Sequence, residues 1–118
     1  MIVGTGVDIT EVKRLKQAVE RWGDAFLTRV FTRQELENAR GRTSLYQHLA
    51  GRFAAKEAVF KALGDSALGW KDLQILNDAE GKPCCTLLNK KAADFIIYVS
   101  ISHVKNYAVA NAIVTKAS

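Results

Sequence analysis

Two acidic residues, Asp8 and Glu57, lie in segments whose other residues are mostly apolar. Asp8 closes the first apolar segment, and Glu57 lies inside a long helical pattern that continues to Lys61. A carboxylate drawn toward a core needs a partner, and Mg²⁺ is a suitable one because it takes one or two carboxylates and keeps water and phosphate oxygens as its other ligands. A lysine one turn beyond Glu57 suits a substrate with phosphates. These residues indicate metal-assisted chemistry on a phosphate ester.

The helical pattern around Glu57 carries charged residues on or beside its apolar stripe. At 100° per residue this stripe covers roughly 120° of the helix surface. Its members are Leu45, Leu49, Phe53, Val59, Phe60 and Leu63. Arg52 and Lys56 fall inside the stripe, and Glu57 and Lys61 lie on its border. Taken singly, Glu57 and Lys61 fit an ordinary helical ion pair, and Lys56 fits a side chain that extends along apolar neighbours. Together the four charges indicate an anion or metal site beside the helix.

Ser102 and His103 lie where a predicted strand ends and a turn begins. A lone histidine is more often structural than catalytic. Adjacent strand residues point to opposite faces, so the two do not form a nucleophile and its base. A polar turn that binds phosphate or a nucleotide fits these residues better than a serine hydrolase.

The hydrophobic pattern predicts an α+β fold, with a helix-rich first half and an antiparallel sheet in the second. Strands are expected at 2–9, 72–76, 84–88, 96–102 and 107–114, and helices at 11–22, 24–31, 33–41 and 45–63. Thr10 is expected to cap the first helix, Thr32 and Glu35 form a capping-box signature, and Trp22 is assigned to packing. One or two helical turns are expected at 89–94. The first strand is expected to join the later sheet, and Gly4 and Gly6 in it allow a close backbone approach or a bulge.

Length and composition predict one domain, spanning residues 1–118, in a reduced cytoplasmic protein. No apolar stretch is long enough to span a bilayer, the N-terminus lacks the features of a signal peptide, and the adjacent Cys84 and Cys85 suit neither a disulfide framework nor a zinc site. The chain is small for an enzyme that encloses a large substrate, which favours a homo-oligomer with a shared site. Residues 1–56 hold ten Lys/Arg and six Asp/Glu, within a total net charge of +5. That excess indicates either an acidic partner or merely a solvated surface.

Five blocks in the chain resemble, in order and spacing, the holo-[acyl-carrier-protein] synthases, the short class of 4′-phosphopantetheinyl transferases. The blocks are GVDI at 6–9, RFAAKEAVFKA at 52–62, GKP at 81–83, SISH at 100–103 and YAVA at 107–110. The resemblance covers nearly the whole chain. It implies transfer of 4′-phosphopantetheine from coenzyme A to a serine of apo acyl carrier protein in fatty acid biosynthesis, with adenosine 3′,5′-bisphosphate as the other product. It also implies a dependence on Mg²⁺ and a homotrimer with active sites at its interfaces.

The resemblance also implies roles for individual residues. Asp8 and Glu57 would be the metal ligands, and Glu57 and Lys61 the catalytic residues, with Lys61 beside the pyrophosphate. Glu57 would accept the serine proton either directly or through a metal-bound water, and the sequence leaves both routes open. The residues expected at the nucleotide end of coenzyme A are Arg52, Lys82, Pro83, Ser102 and His103. Arg14 and Arg21, on the basic first helix, would receive the acidic carrier protein.

Two other kinds of protein also fit part of the sequence. A small basic nucleic-acid-binding module fits the isoelectric point near 9.4. That class does not account for Asp8 and Glu57, and the chain lacks the interleaved aromatic and basic positions of single-strand binders. An inactive scaffold with the same fold is disfavoured by the intact Asp8, Glu57 and Lys61. The chain departs from the family in two segments. Residues 65–70 contain fewer glycines than the family usually shows there, and residues 94–98 lack a glycine that is often found before the last motif. Both differences affect loop geometry rather than the proposed metal ligands.

Overall fold

Helices dominate the first half of the chain and strands the second, which confirms the predicted α+β class. The computed structural model describes residues 1–64, 68–89 and 94–117. The helices are α1 (Val12–Trp22), α2 (Asp24–Val30), α3 (Arg33–Ala39) and α4 (Leu45–Leu63). The strands are β1 (Ile2–Glu11), β2 (Leu73–Asn77), β3 (Pro83–Leu87), β4 (Phe95–His103) and β5 (Tyr107–Lys116). Of the helical turns expected at 89–94, residues 90–93 lie outside the described residues. Of the glycine-poor segment 65–70, residues 65–67 do.

Three strands form an antiparallel sheet in the order β1-β5-β4, while β2 and β3 form a separate antiparallel hairpin. The expectation that the first strand joins the later sheet is therefore confirmed. Side chains along each strand alternate between the two faces of the sheet. Asp8 pairs with the buried Ala110 on the face that α4 covers, and Ile9 pairs with the exposed Val109 on the other face. One face of the sheet is thus covered and the other is exposed.

The backbone of β1 lies directly against the backbone of α4. A Cβ added at Gly4 would lie 1.8 Å from the carbonyl oxygen of Ala62, and one added at Gly6 would lie 2.0 Å from that of Ala58. Because these neighbours are backbone atoms and cannot rotate away, only glycine fits at either position. The close approach that the two glycines allow is confirmed. It fixes the separation between α4 and Asp8, which is the next residue of β1 on the same face.

Small residues make up most of the buried surface of α4, which contains 19 residues. The buried apolar residues of this helix are Leu49, Ala50, Gly51, Ala54, Ala55, Ala58, Val59 and Ala62. The expectation that larger side chains form the core face is therefore wrong in part. Phe53 and Phe60 are only partly buried, and their rings each lie 5.1 Å from the ring of Trp70. Alanines are buried instead because the sheet packs against the helix backbone at close range. In the part of the chain described, no helix has the length and apolar character needed to cross a membrane.

The starts of two helices test the predicted caps. The capping box at α3 is confirmed, because the Glu35 N–H donates to the Thr32 hydroxyl and the Thr32 N–H donates to the Glu35 carboxylate. The cap expected at Thr10 is wrong. β1 continues to Glu11, which pairs with Tyr107 of β5, so Thr10 lies inside the strand. Its hydroxyl donates a hydrogen bond to Oδ2 of Asp8 at 2.9 Å.

Lys56 is a structural residue at the centre of the fold, which contradicts both interpretations offered for it. Its side chain is fully buried, so it neither reaches water nor faces an anion site. Nζ lies 2.7 Å from Oε1 of Glu35 and donates to the carbonyl oxygens of Val30, Trp70 and Leu73, each at 2.9 Å. Burial lowers the pKa of Lys56, and the Glu35 carboxylate opposes that shift. One ammonium group therefore connects α4 with two other stretches of the chain, residues 30–35 and 70–73.

Replacing Lys56 with methionine should destabilise the protein by about 3–5 kcal/mol, because the Glu35 carboxylate stays buried without a cation. Adding Glu35→Gln to that variant should recover part of the loss, since the amide keeps one acceptor oxygen and carries no charge. Urea unfolding followed by circular dichroism, at a fixed protein concentration, measures both effects. Lys71→Met at an exposed lysine is the matched control. If the double variant lost as much free energy of unfolding as the two single variants together, the coupling between Lys56 and Glu35 would be contradicted.

Candidate active site

A cleft of about 410 Å³ lies beside β1, α1 and α4. Its lining includes Asp8, Glu57 and Lys61, together with Arg14 of α1. Asp8 comes from the covered face of β1, while Glu57 and Lys61 come from successive turns of α4. Asp8 and Lys61 are 53 positions apart in the chain and meet here because the two glycines of β1 let the strand lie on the helix. The structure thus brings together the residues expected to carry the chemistry.

Lys61 pairs with Asp8 rather than with the glutamate one turn before it. Its ammonium lies 3.2 Å from Oδ1 of Asp8 and donates to the carbonyl oxygen of Val7 at 3.0 Å. The simple helical ion pair between Glu57 and Lys61 is therefore replaced by a contact between helix and strand. The Lys61 side chain is 55% exposed, so its ammonium remains open to the cleft.

Glu57 lies close enough to Asp8 for their charges to interact. The pKa of Glu57 is raised, first by partial burial and then by the negative charge of Asp8, while Lys61 opposes the shift. Two carboxylates in a partly buried cleft favour a cation between them. The raised pKa also makes Glu57 a better proton acceptor than an ordinary surface carboxylate.

The donor set of the cleft fits Mg²⁺ better than a transition metal. The described residues contain no cluster of three or more histidine, cysteine, aspartate or glutamate side chains that could hold a metal. Mg²⁺ does not need such a cage, because two carboxylates with water and substrate phosphate oxygens complete its octahedron. Asp8 and Glu57 supply those two carboxylates.

A second group of polar residues lies around His48 of α4. Burial and the positive charges of Arg52, Arg42 and His103 together lower the pKa of His48 to about 4. Arg52 is itself buried, with one guanidinium nitrogen 2.7 Å from Oδ1 of Asn77, while its Nε has no hydrogen-bond partner among the residues that the structure describes. His48 is therefore neutral near pH 7, while the charges of Arg42 and Arg52 repel each other and would be stabilised by an anion.

Of the five residues expected at the nucleotide end, Arg52 belongs to this basic group, three contact or adjoin it, and Ser102 does not. Asn77, which binds Arg52, pairs with Pro83 across the β2–β3 hairpin, and Lys82 precedes Pro83 in the turn. His103 pairs with the buried Ala108, on the face that α4 covers. Ser102 lies on the opposite, exposed face of β4.

The basic group and the carboxylate cleft lie on opposite sides of α4. His48 and Glu57 are nine residues apart, which places them about 180° apart around the helix axis. One side of α4 therefore carries Glu57 and Lys61, which face Asp8 of β1, and the other side carries His48 and Arg52. Within one chain, the structure does not bring these two sets together.

The basic residues of α1 reach the cleft and the surface beside it. Arg14 lines the cleft, whereas the guanidinium of Arg21 stacks at 4.8 Å over the ring of Trp22. Trp22 is 58% exposed, so its assignment to packing is wrong. Its ring lies at the end of α1, where it borders a groove with Phe26 and Arg29.

Sequence reasoning missed Thr10 and His48 as residues of the two groups. Thr10 lies two positions after Asp8, and the period of a strand places both side chains on one face. His48 lies four positions before Arg52, and the period of a helix does the same there. Both signals are present in the spacing, but Thr10 is also a typical cap residue before a helical pattern, and no role is predicted for His48.

Known proteins match this chain over its whole length. The family model of the 4′-phosphopantetheinyl transferase superfamily matches residues 4–112. A holo-[acyl-carrier-protein] synthase of Protochlamydia amoebophila is 44% identical, over 96% of this chain and 98% of the relative. The crystal structure of a holo-(acyl-carrier-protein) synthase from Bacillus anthracis, in complex with CoA (3′,5′-ADP), superimposes with a TM-score of 0.86 at 36% identity, covering 100% of this chain and 99% of that one. The holo-[acyl-carrier-protein] synthase of Neisseria meningitidis gives a TM-score of 0.90 at 32% identity, over 98% and 100% of the two chains.

The fold of this chain is thus shared with these solved structures from end to end. With a family model that spans most of the chain and relatives of such identity, the chain belongs to the 4′-phosphopantetheinyl transferase superfamily.

Proposed function

We propose that this protein transfers 4′-phosphopantetheine from coenzyme A to a serine of apo acyl carrier protein, releasing adenosine 3′,5′-bisphosphate, and so supplies fatty acid biosynthesis in the cytoplasm. The observation that carries the proposal is the convergence of Asp8, Glu57 and Lys61 in one cleft. Relatives that span the whole chain bear the name of this activity.

Asp8 and Glu57 would hold Mg²⁺ at the pyrophosphate of coenzyme A. When bound, the ion neutralises the charge that develops on the phosphate oxygens and orients them. The protein contributes the two carboxylates and the fixed distance between β1 and α4.

The protein's own groups account for the proton and the leaving group. The serine oxygen of the carrier forms a bond to the phosphorus that bears pantetheine, and the bond from that phosphorus to the bridging oxygen breaks. Glu57 takes the serine proton, a role that its raised pKa favours. The leaving oxygen carries the electron pair away on adenosine 3′,5′-bisphosphate, and the exposed ammonium of Lys61 neutralises its charge.

The nucleotide end of coenzyme A is assigned to the basic group on the far side of α4. Arg52, whose Nε lacks a partner, and His103 would face its phosphates. The turn at Lys82 and Pro83 adjoins Arg52 through Asn77. Ser102 on the exposed sheet face would take part only where another subunit meets that face.

A homotrimer would bring the two groups together. The uncovered face of the sheet exposes a row of large apolar side chains, a feature that monomeric proteins rarely show. Its members include Val7, Ile9, Tyr98, Tyr107 and Val109. If copies of the chain cover this face, the carboxylate cleft of one subunit can lie beside the basic group of its neighbour. Each active site would then be built from two subunits.

A nucleic-acid-binding module remains the alternative, supported only by the net charge of +5. It leaves the carboxylates in the cleft without a role. Tight binding of generic DNA at physiological salt, with no effect of coenzyme A, would favour it over the transferase.

Mixing the protein with coenzyme A, Mg²⁺ and apo acyl carrier protein should add one phosphopantetheine to the carrier, as measured by intact mass spectrometry. Asp8→Ala and Glu57→Ala should each lower this turnover about 100-fold or more, because each removes a metal ligand or the base. Glu80→Ala, at an exposed turn, is the control for loss of a carboxylate. Full activity of either cleft variant with normal circular dichroism would refute the metal assignment.

Charge reversal on α1 tests the docking of the acidic carrier. Arg14→Glu and Arg21→Glu should raise KM for the carrier about 10-fold at low salt, with a smaller effect on kcat, since complementary charges act mainly on association. The difference should shrink as salt screens the charges. Arg33→Glu on α3, also exposed, is the matched control. An unchanged KM at low salt would count against this docking surface.

Complementation between inactive variants tests the shared site. Asp8→Ala and His103→Ala damage different groups, so mixed trimers formed by co-expression should contain intact sites at some interfaces. Random assembly predicts recovery of about a quarter of the wild-type activity, because one of the four possible neighbour pairs has both groups intact. If each site lay within one subunit, mixing would recover no activity. Sedimentation of the mixture identifies the trimer.

A further inference from the structure

A buried hydroxyl contacts the carboxylate that the proposed function assigns to the metal. The Thr10 side chain is 8% exposed and lines the cleft, and its hydroxyl donates to Oδ2 of Asp8 at 2.9 Å. Both residues lie on the covered face of β1. The main chain of Thr10 is already paired with Ala108 of β5, so the strand holds its position independently of this bond.

This hydrogen bond gives the two oxygens of Asp8 different environments. Oδ2 is engaged by Thr10, whereas Oδ1 lies 3.2 Å from the ammonium of Lys61, which also lines the cleft. A carboxylate held by one oxygen cannot rotate freely, so the other oxygen keeps a fixed direction. Hydrogen-bonding partners of metal ligands act in this way, and their loss typically lowers metal affinity or activity about 10–100-fold.

We infer that Thr10 is a positioning residue, which orients Asp8 so that Oδ1 points to the cation site. The inference rests on the proposed metal-binding role of Asp8 and Glu57. A helix cap does not explain the hydroxyl, since Thr10 lies within β1. Packing alone does not explain it either, because packing needs the methyl group and leaves the hydroxyl without a purpose.

Two replacements separate the hydroxyl from the methyl group. Thr10→Val keeps the branched shape and removes the hydroxyl, whereas Thr10→Ser keeps the hydroxyl and removes the methyl. Mg²⁺ would be titrated by calorimetry into protein saturated with coenzyme A, in the absence of any carrier. Thr86→Val, at an exposed position of β3, controls for a threonine-to-valine change in a strand. Thermal unfolding of every variant measures a loss of stability separately.

Thr10→Val should weaken Mg²⁺ binding about 10-fold or more, while Thr10→Ser and Thr86→Val should bind it nearly as the wild type does. Wild-type affinity in Thr10→Val, or an equal loss in Thr10→Ser, would overturn the role of the hydroxyl. If Asp8→Ala then still abolished binding, the proposed metal site would stand without Thr10. If the wild type itself bound no Mg²⁺, both the metal assignment and this inference would fall.

Discussion

Lys56 and Glu35 bring opposite charges into the interior, where neither is stable without the other. The ammonium of Lys56 satisfies three backbone carbonyl oxygens as well as the carboxylate, and Glu35 in turn accepts from the backbone of Thr32 and Ile75. The pair therefore holds the α2–α3 connection and β2 against α4. The neighbouring residue on α4 is Glu57, which faces the cleft, so this anchor also limits how far the cleft-facing side of the helix can shift.

The contact between β1 and α4 depends on the absence of side chains at two positions of the strand. Gly4 and Gly6 let β1 contact the carbonyl oxygens of Ala62 and Ala58. At that separation the carboxylate of Asp8 contacts the ammonium of Lys61 directly. A larger residue at position 4 or 6 would push β1 outward and separate Asp8 from Glu57 and Lys61 of the helix. Backbone contact and the buried ion pair thus fix the cleft from two directions.

The sequence predicted most of this arrangement where a single local rule applied. The periodicity of the apolar residues predicts the strand that carries Asp8 and the helix that carries Glu57. The small size of Gly4 and Gly6 predicts that another backbone can approach β1 closely. The predictions for Lys56 and Trp22 are wrong because neither environment follows from the periodicity of its own helix. Lys56 finds its partners in two distant stretches of the chain, 30–35 and 70–73, and Trp22 is exposed because it is the last residue of α1. Thr10 was assigned to a helix that begins two residues later, since strand pairing with β5 outweighs its preference for a cap.

The position of α4 links the size of the chain to its need for other copies. A helix laid across a three-stranded sheet has two flanks, and here each flank carries a different chemistry, carboxylates beside β1 and basic groups toward β4. A single chain of 118 residues cannot fold around a long substrate to reach both. The proposed homotrimer would resolve this by bringing the carboxylate flank of one subunit beside the basic flank of its neighbour. In that arrangement, burial of the exposed apolar sheet face would drive the association that completes each site.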